Sequence, residues 1–183
     1  MPISDKTLDR RLQRMVNELQ ESTGLSEEEI KGVAENAFHR KNLENLNFSE
    51  EEISKELKNG MEGALHFMIS DDVAGMFAAV EARIGFTPSQ SAQIFKGSGG
   101  NLEYDVADLL SKEAMIDVVK QAGDLSNAEL AEALEGEGRN LEPALKILHA
   151  KLNPDQPELS RLDQKMTSFV ERLNAEKGGS RNR

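Results

Sequence analysis

One local pattern occurs four times in this chain: an apolar residue, a Ser or Thr, two arbitrary residues, and a Glu or Gln. It stands at Leu25-Ser26 with Glu29, Phe48-Ser49 with Glu52, Phe86-Thr87 with Gln90, and Leu125-Ser126 with Glu129. Each is a capping box: the hydroxyl accepts from the amide of the third helical residue, and that residue's side chain accepts from the cap amide. Every copy therefore predicts a helix start. In three copies the preceding apolar residue can also staple onto Ile30, Ile53 or Leu130. With Ala, Leu, Glu and Lys dominant and β-branched runs missing, the expected class is all-α.

The last two copies belong to a longer likeness. A shift of 39 residues carries Val80 onto Val119, Phe86 onto Leu125, Thr87 onto Ser126, Gly97 onto Gly136 and Gly99 onto Gly138. It also carries Asn101-Leu102-Glu103 onto Asn140-Leu141-Glu142, with no gap. A fixed period of about 40 residues marks a repeated supersecondary unit. Each unit, 74-112 and 113-152, reads as a short helix, a tight turn, a capped helix, a glycine-rich turn and a third helix.

The helical N-terminal region 1-73 reads as a worn version of the same plan. It opens with a helix whose Leu8, Leu12, Met15, Val16 and Leu19 form one apolar stripe. Ser26-Glu27-Glu28-Glu29-Ile30 then recurs as Ser49-Glu50-Glu51-Glu52-Ile53, at a spacing of 23 and without the double-glycine turn. After Leu152, residues 153-157 (Asn-Pro-Asp-Gln-Pro) read as a helix-breaking linker. Residues 158-177 read as an amphipathic helix with Leu159, Leu162, Met166, Phe169, Val170 and Leu173 on one face, and 178-183 as a disordered tail.

Composition removes several function classes. The chain has no cysteine, which excludes disulfides, thiolate metal sites and cysteine nucleophiles. Its net charge of −11 repels a phosphate backbone, and Arg10-Arg11 and Arg181-Asn182-Arg183 are too short to offset it, so no direct nucleic-acid binding is expected. The most apolar stretch, Met61 to Ile84, is broken by Asp71 and Asp72. Neither side of that break reaches the roughly 18 residues of a membrane span, so no membrane role is expected. The start Met1-Pro2-Ile3 carries no charged-then-apolar leader, and a cytoplasmic location is expected.

Chemistry-bearing constellations are sparse. His39, His66 and His149 share no metal-ligand spacing. The run from Lys96 to Asn101 has the glycines of a phosphate loop but neither a preceding strand nor a closing Lys-Ser/Thr, so it reads as a turn between helices. Glu27-Glu28-Glu29 and Glu50-Glu51-Glu52 read as first-turn acids facing a helix dipole. No catalytic, cofactor-binding or metal set emerges, and a non-enzyme without cofactors is expected. Met61, Leu65, Phe67, Met68, Met76 and Phe77 read as core, with a partner groove as the alternative.

Unit 74-112 resembles a ubiquitin-associated (UBA) domain, a three-helix bundle of about this length. Ile84-Gly85-Phe86 stands where that family has its Met-Gly-Phe-like loop. Gly99-Gly100-Asn101 matches its turn before helix three, and Leu109-Leu110 the Leu pair ending that helix. The resemblance implies a contact patch for a partner, ubiquitin in the family, at Ile84, Gly85, Phe86, Leu109 and Leu110. In unit 113-152, Gly123-Asp124-Leu125 replaces the loop and Leu148-His149 the Leu pair, so only the fold is implied there. The leading expectation is a helical adaptor or regulator that binds another protein through an apolar patch in an acidic surface. Its alternatives are a ubiquitin-binding adaptor and an acidic inhibitor or nucleic-acid mimic that occupies a basic groove of a target. Oligomeric state is left open.

Overall fold

All four capping boxes form. Ser26, Ser49, Thr87 and Ser126 each accept from the amide of the third helical residue, and each N3 side chain reaches back to the cap amide. Two residues before each hydroxyl the chain turns left-handed, at Gly24 (φ 75°), Asn47 (φ 60°), Gly85 (φ 93°) and Asp124 (φ 51°). This reversal brings each box back against the preceding helix.

The computed structural model describes residues 4–35, 37–153 and 161–179. In chain order the α-helices are α1 (Asp5–Thr23), α2 (Glu27–Ala34), α3 (Ala37–Asn45), α4 (Glu50–Ser70), α5 (Val73–Arg83) and α6 (Pro88–Ile94). They continue as α7 (Leu102–Ser111), α8 (Glu113–Gly123), α9 (Asn127–Ala133), α10 (Leu141–Leu152) and α11 (Arg161–Gly179). A 3-10 turn at Gly99–Asn101 leads into α7. The fold is all-α, with no strand among the described residues. None of the helices is long and apolar enough to cross a membrane.

In both 39-residue units the first helix packs on the third: α5 on α7, and α8 on α10. Side chains that the 39-residue shift aligns are buried alike. Val80 and Val119 are buried, and so are Phe86 and Leu125, and Leu109 and Leu148. In the N-terminal half α1 packs on α4 and α2 touches both, so α4 stands where a third helix would. The Ser26 box opens the short α2. The Ser49 box does something else: it opens the long α4, and its apolar Phe48 is 40% exposed where Leu25, Phe86 and Leu125 are buried.

The three short capped helices lie side by side, α2 on α6 and α6 on α9. One backbone hydrogen bond recurs at both junctions. Gly97 N–H donates to Gly32 C=O at 2.7 Å, and Gly136 N–H donates to Gln93 C=O at 3.1 Å. Gly32 and Gln93 lie six residues after the cap hydroxyls of Ser26 and Thr87, and Gly97 and Gly136 lie ten after those of Thr87 and Ser126. Gly97 (φ 81°) and Gly136 (φ 73°) are both left-handed, which lets each glycine-rich turn fold its amide onto the preceding helix end.

The last helix, α11, packs along α10 and buries Met166, Phe169, Val170 and Leu173. Lys165 donates to Glu135 C=O at 3.0 Å, and Lys177 donates to Gly123 C=O at 2.8 Å and Asp124 C=O at 3.1 Å. These lysines satisfy carbonyls left free where α9 and α8 end. The helix runs to Gly179, two residues into the stretch read from sequence as a tail. The linker after Asn153, the side chains of Leu159 and Leu162, and the chain end after Gly179 lie outside the described residues.

Candidate functional site

The five residues that the UBA resemblance nominates divide by burial. Phe86 and Leu109 are core side chains with no exposure, Ile84 and Leu110 are half-buried, and only Gly85 is open. Gly85 needs its positive φ, and its carbonyl accepts from Asn127 Nδ2 at 3.1 Å, so unit 113-152 already covers part of this loop. An anchoring role requires exposure, which Phe86 and Leu109 lack here. Phe86 instead packs in the core at the entrance to α6, with Val80 and Ile94 buried in the same cluster. A partner at this edge would meet Ile84, Gly85 and Leu110.

A larger concavity lies elsewhere, between α2, α4 and α6. It is an open groove of about 1380 Å³. Its α4 wall is Leu57, Gly60, Met61, Gly63, Ala64 and Phe67, at the spacings of one helical face. Facing it are Gly32 and Ala34 of α2, Ala92 and Gln93 of α6, and Gly99 of the 3-10 turn. Phe67 is 54% exposed, an unusual place for a large aromatic ring on a helix whose neighbours Leu65 and Met68 are wholly packed. Of the apolar set Met61 to Phe77, therefore, Leu65, Met68 and Phe77 are core, whereas Met61 and Phe67 line the groove.

The two junctions differ at one position beside this space. Eight residues past the cap hydroxyl stands Phe95 in α6's copy and Ala34 in α2's. At the α6/α9 junction the Phe95 ring is buried, stacks on Phe77 at 6.2 Å, and lies so close to Gly138 that a Cβ there would come within 2.6 Å of it. Gly138 N–H also donates to Ile94 C=O at 3.0 Å. At the α2/α6 junction Ala34 supplies one methyl where Phe95 supplies a ring, and the glycine equivalent to Gly138 is Gly99, on the groove lining. The glycines of α4 widen the space further, since a Cβ on Gly63 would touch nothing within 4 Å.

The rim is acidic. Glu27, Glu28, Glu29, Glu35 and Glu135 border the groove together with Lys31, Arg40 and Lys96. Two of those cations are already engaged: Lys31 pairs with Glu27 at 3.1 Å, and Arg40 with Glu44 at 3.0 Å and Glu50 at 3.4 Å. Burial acts to raise the Glu29 carboxyl, but hydrogen bonds from the Ser26 amide and from the Ser89 and Ser26 hydroxyls outweigh it and hold the group below its ordinary value. Ser89 belongs to α6 and Glu29 to α2, so this carboxylate lies at the first junction, on one side of the groove.

Other features lead less far. Asp105 is buried with its Oδ2 3.6 Å from Arg139 Nε. Burial pushes its carboxyl up, against the Arg139 charge and a hydrogen bond from Ser98. A smaller hollow of about 380 Å³ lies between α8 and α10, beside the half-exposed Val118. The turn from Lys96 spends its amides within the protein, Gly97 N–H on Gly32 and Ser98 N–H on the Phe95 carbonyl. His149 Nε2 lies 3.1 Å from Asn153 Nδ2, and no three His, Asp or Glu side chains among the described residues are grouped to hold a metal ion. The sequence signals for the groove were Gly60 and Gly63 inside a helix and Ala34 in register with Phe95. No protein-family model, curated protein or solved structure matches this chain.

Proposed function

We propose that this protein is a non-enzymatic helical adaptor or regulator, and that the α2/α4/α6 groove is where it takes hold of a partner protein. The observation that carries this reading is an open apolar groove with an exposed ring, Phe67, in its wall and a rim of carboxylates. Leaving apolar surface of this kind in water is unfavourable, and a partner that covers it recovers that free energy. An apolar centre within a polar rim is the usual layout of a protein-binding surface, in which charges on the rim steer the encounter and the centre supplies the affinity.

The test uses a photo-crosslinking amino acid at position 63, where the side chain has open space, and at position 118 on the far hollow as control. The residue-63 probe should join a discrete protein in native lysate, and the adduct should fade when Phe67 is changed to Ser. Adducts of equal yield at 63 and 118, or adducts indifferent to Phe67→Ser, would remove the groove as the site. The UBA resemblance names a second surface, at Ile84, Gly85, Phe86, Leu109 and Leu110, with ubiquitin as its ligand. The partial exposure of Ile84 and Leu110 supports it, although the buried Phe86 and Leu109 leave it the smaller of the two.

A further inference from the structure

Resting on the reading of the groove as a partner site, we infer that its occupant is a cationic amphipathic helix, a segment with an apolar stripe flanked by Lys or Arg. Charge gives the first argument. With Lys31 and Arg40 already paired, Lys96 is the rim cation without an ion pair among the described residues, whereas the carboxylates of Glu28, Glu35 and Glu135 have no ion pair there, Lys165 meeting Glu135 only at its carbonyl. The chain as a whole carries −11. An acidic or neutral segment would meet repulsion or gain nothing at this rim, while a basic one is drawn in and neutralised.

Backbone chemistry gives the second argument. The walls are helices, and at the groove the Gly32 carbonyl is already taken by Gly97 N–H. An extended strand seated there would find no sheet edge to pair with, and its buried amides would go unsatisfied. A helix satisfies its own backbone and needs only side-chain contacts. A proline-rich segment would look for a row of aromatic rings, and among the described residues this groove offers one, Phe67.

Shape gives the third. The α4 wall from Leu57 to Phe67 spans about 15 Å at 1.5 Å per residue, which matches two to three turns of a helix lying alongside. Gly60 and Gly63 let the occupant's backbone come close, and Met61 and Phe67 stand ready to interleave with apolar residues at i, i+3, i+4 and i+7.

The probe is a synthetic peptide of about four turns with Leu at those positions and Lys on the flanks. Its controls keep the composition but scramble the amphipathic order, replace Lys by Glu, or break the helix with Pro. Fluorescence anisotropy against the full chain, at low and near-physiological salt, reads the affinity. The cationic helix should bind at least about tenfold more tightly than each control. Phe67→Ser, which removes the exposed ring from the groove wall, should weaken it by a similar factor. Glu28→Lys with Glu35→Lys should weaken it severalfold and flatten its salt dependence. Circular dichroism on each variant establishes that it is folded. Equal binding of the scrambled, acidic or Pro-broken peptide, or unchanged binding to Phe67→Ser, overturns the inference. If no helical peptide is preferred while the residue-63 probe still captures a protein, the occupant is wrong and the groove reading stands. If that probe captures nothing that residue 118 does not, the reading beneath it falls.

Discussion

The two junctions of the helix stack share a backbone contact and differ in what fills the space around it. Gly97 onto Gly32 and Gly136 onto Gln93 are the same hydrogen bond made twice, at 2.7 and 3.1 Å. At the second junction Phe95 packs against Gly138 so closely that only a glycine fits, and the α6/α9 seam is closed. At the first junction Ala34 replaces the ring, the α4 glycines hold back, and a groove stays open. Repeating a unit fixes how its copies dock, whereas one side chain per copy decides whether the seam is core or surface.

The comparison can be broken most forcefully at Phe95. Phe95→Ala should cost about 3–5 kcal/mol, the loss of a buried ring plus the cavity it leaves, measured by urea denaturation. The same variant should bind an apolar dye at the α6/α9 seam, since it gives the second junction the alanine of the first. A loss below about 1 kcal/mol would show that the ring does not close that seam.

Next in size is Gly138→Ala, whose new Cβ would stand 2.6 Å from Phe95 and 3.1 Å from the Ile94 carbonyl. It should destabilise by about 1–3 kcal/mol as an overpacked site, read by denaturant midpoint. Smaller still is the pH response of the two carboxylates. Glu29 is held below its ordinary value in the fold. Its ionised form therefore stabilises in full above that ordinary value, and the contribution is lost as pH falls through the lowered one. Asp105 has the opposite sign. Its raised value makes the fold most favourable below the ordinary aspartate value and less so as pH rises through the raised one. Between about pH 6 and pH 3, Glu29→Gln should therefore lose less stability than wild type, and Asp105→Asn more. Thermal melts across that range check both signs.

The smallest effect is a gain. Gly63→Ala adds a methyl into open space in the interior of α4, and should raise stability by about 0.5–1 kcal/mol through helix propensity alone. A loss instead would mean that the groove floor is packed where the structure leaves it empty.

Much of the fold was legible in the sequence because it is written in local chemistry. A capping box needs only residues within one turn of each other, so Ser26, Ser49, Thr87 and Ser126 announced their helices, and the 39-residue register aligned Val80 with Val119 and Phe86 with Leu125. Long-range facts were less legible. Glu27-Glu28-Glu29 and Glu50-Glu51-Glu52 look alike on the page, yet the first opens a short stacked helix and the second a 21-residue helix that packs on α1. Phe86 sits at a loop that in a related pattern faces a partner, but an apolar residue before a cap is equally a staple, and here it is buried. The groove itself depends on α4 passing beside α2 and α6, which no spacing in the chain declares.

The most direct measurement is an amide NMR titration of the labelled chain with the partner joined by the residue-63 probe. The account predicts shifts clustered at the first junction, at Gly32, Glu35, Gly63, Phe67 and Lys96. The equivalent positions of the second, Gln93 excepted as a shared wall, should stay still at Phe95, Gly136 and Gly138. Shifts concentrated at Gly136 and Gly138, or at Ile84 and Leu110, with Gly63 and Phe67 unmoved, would contradict it.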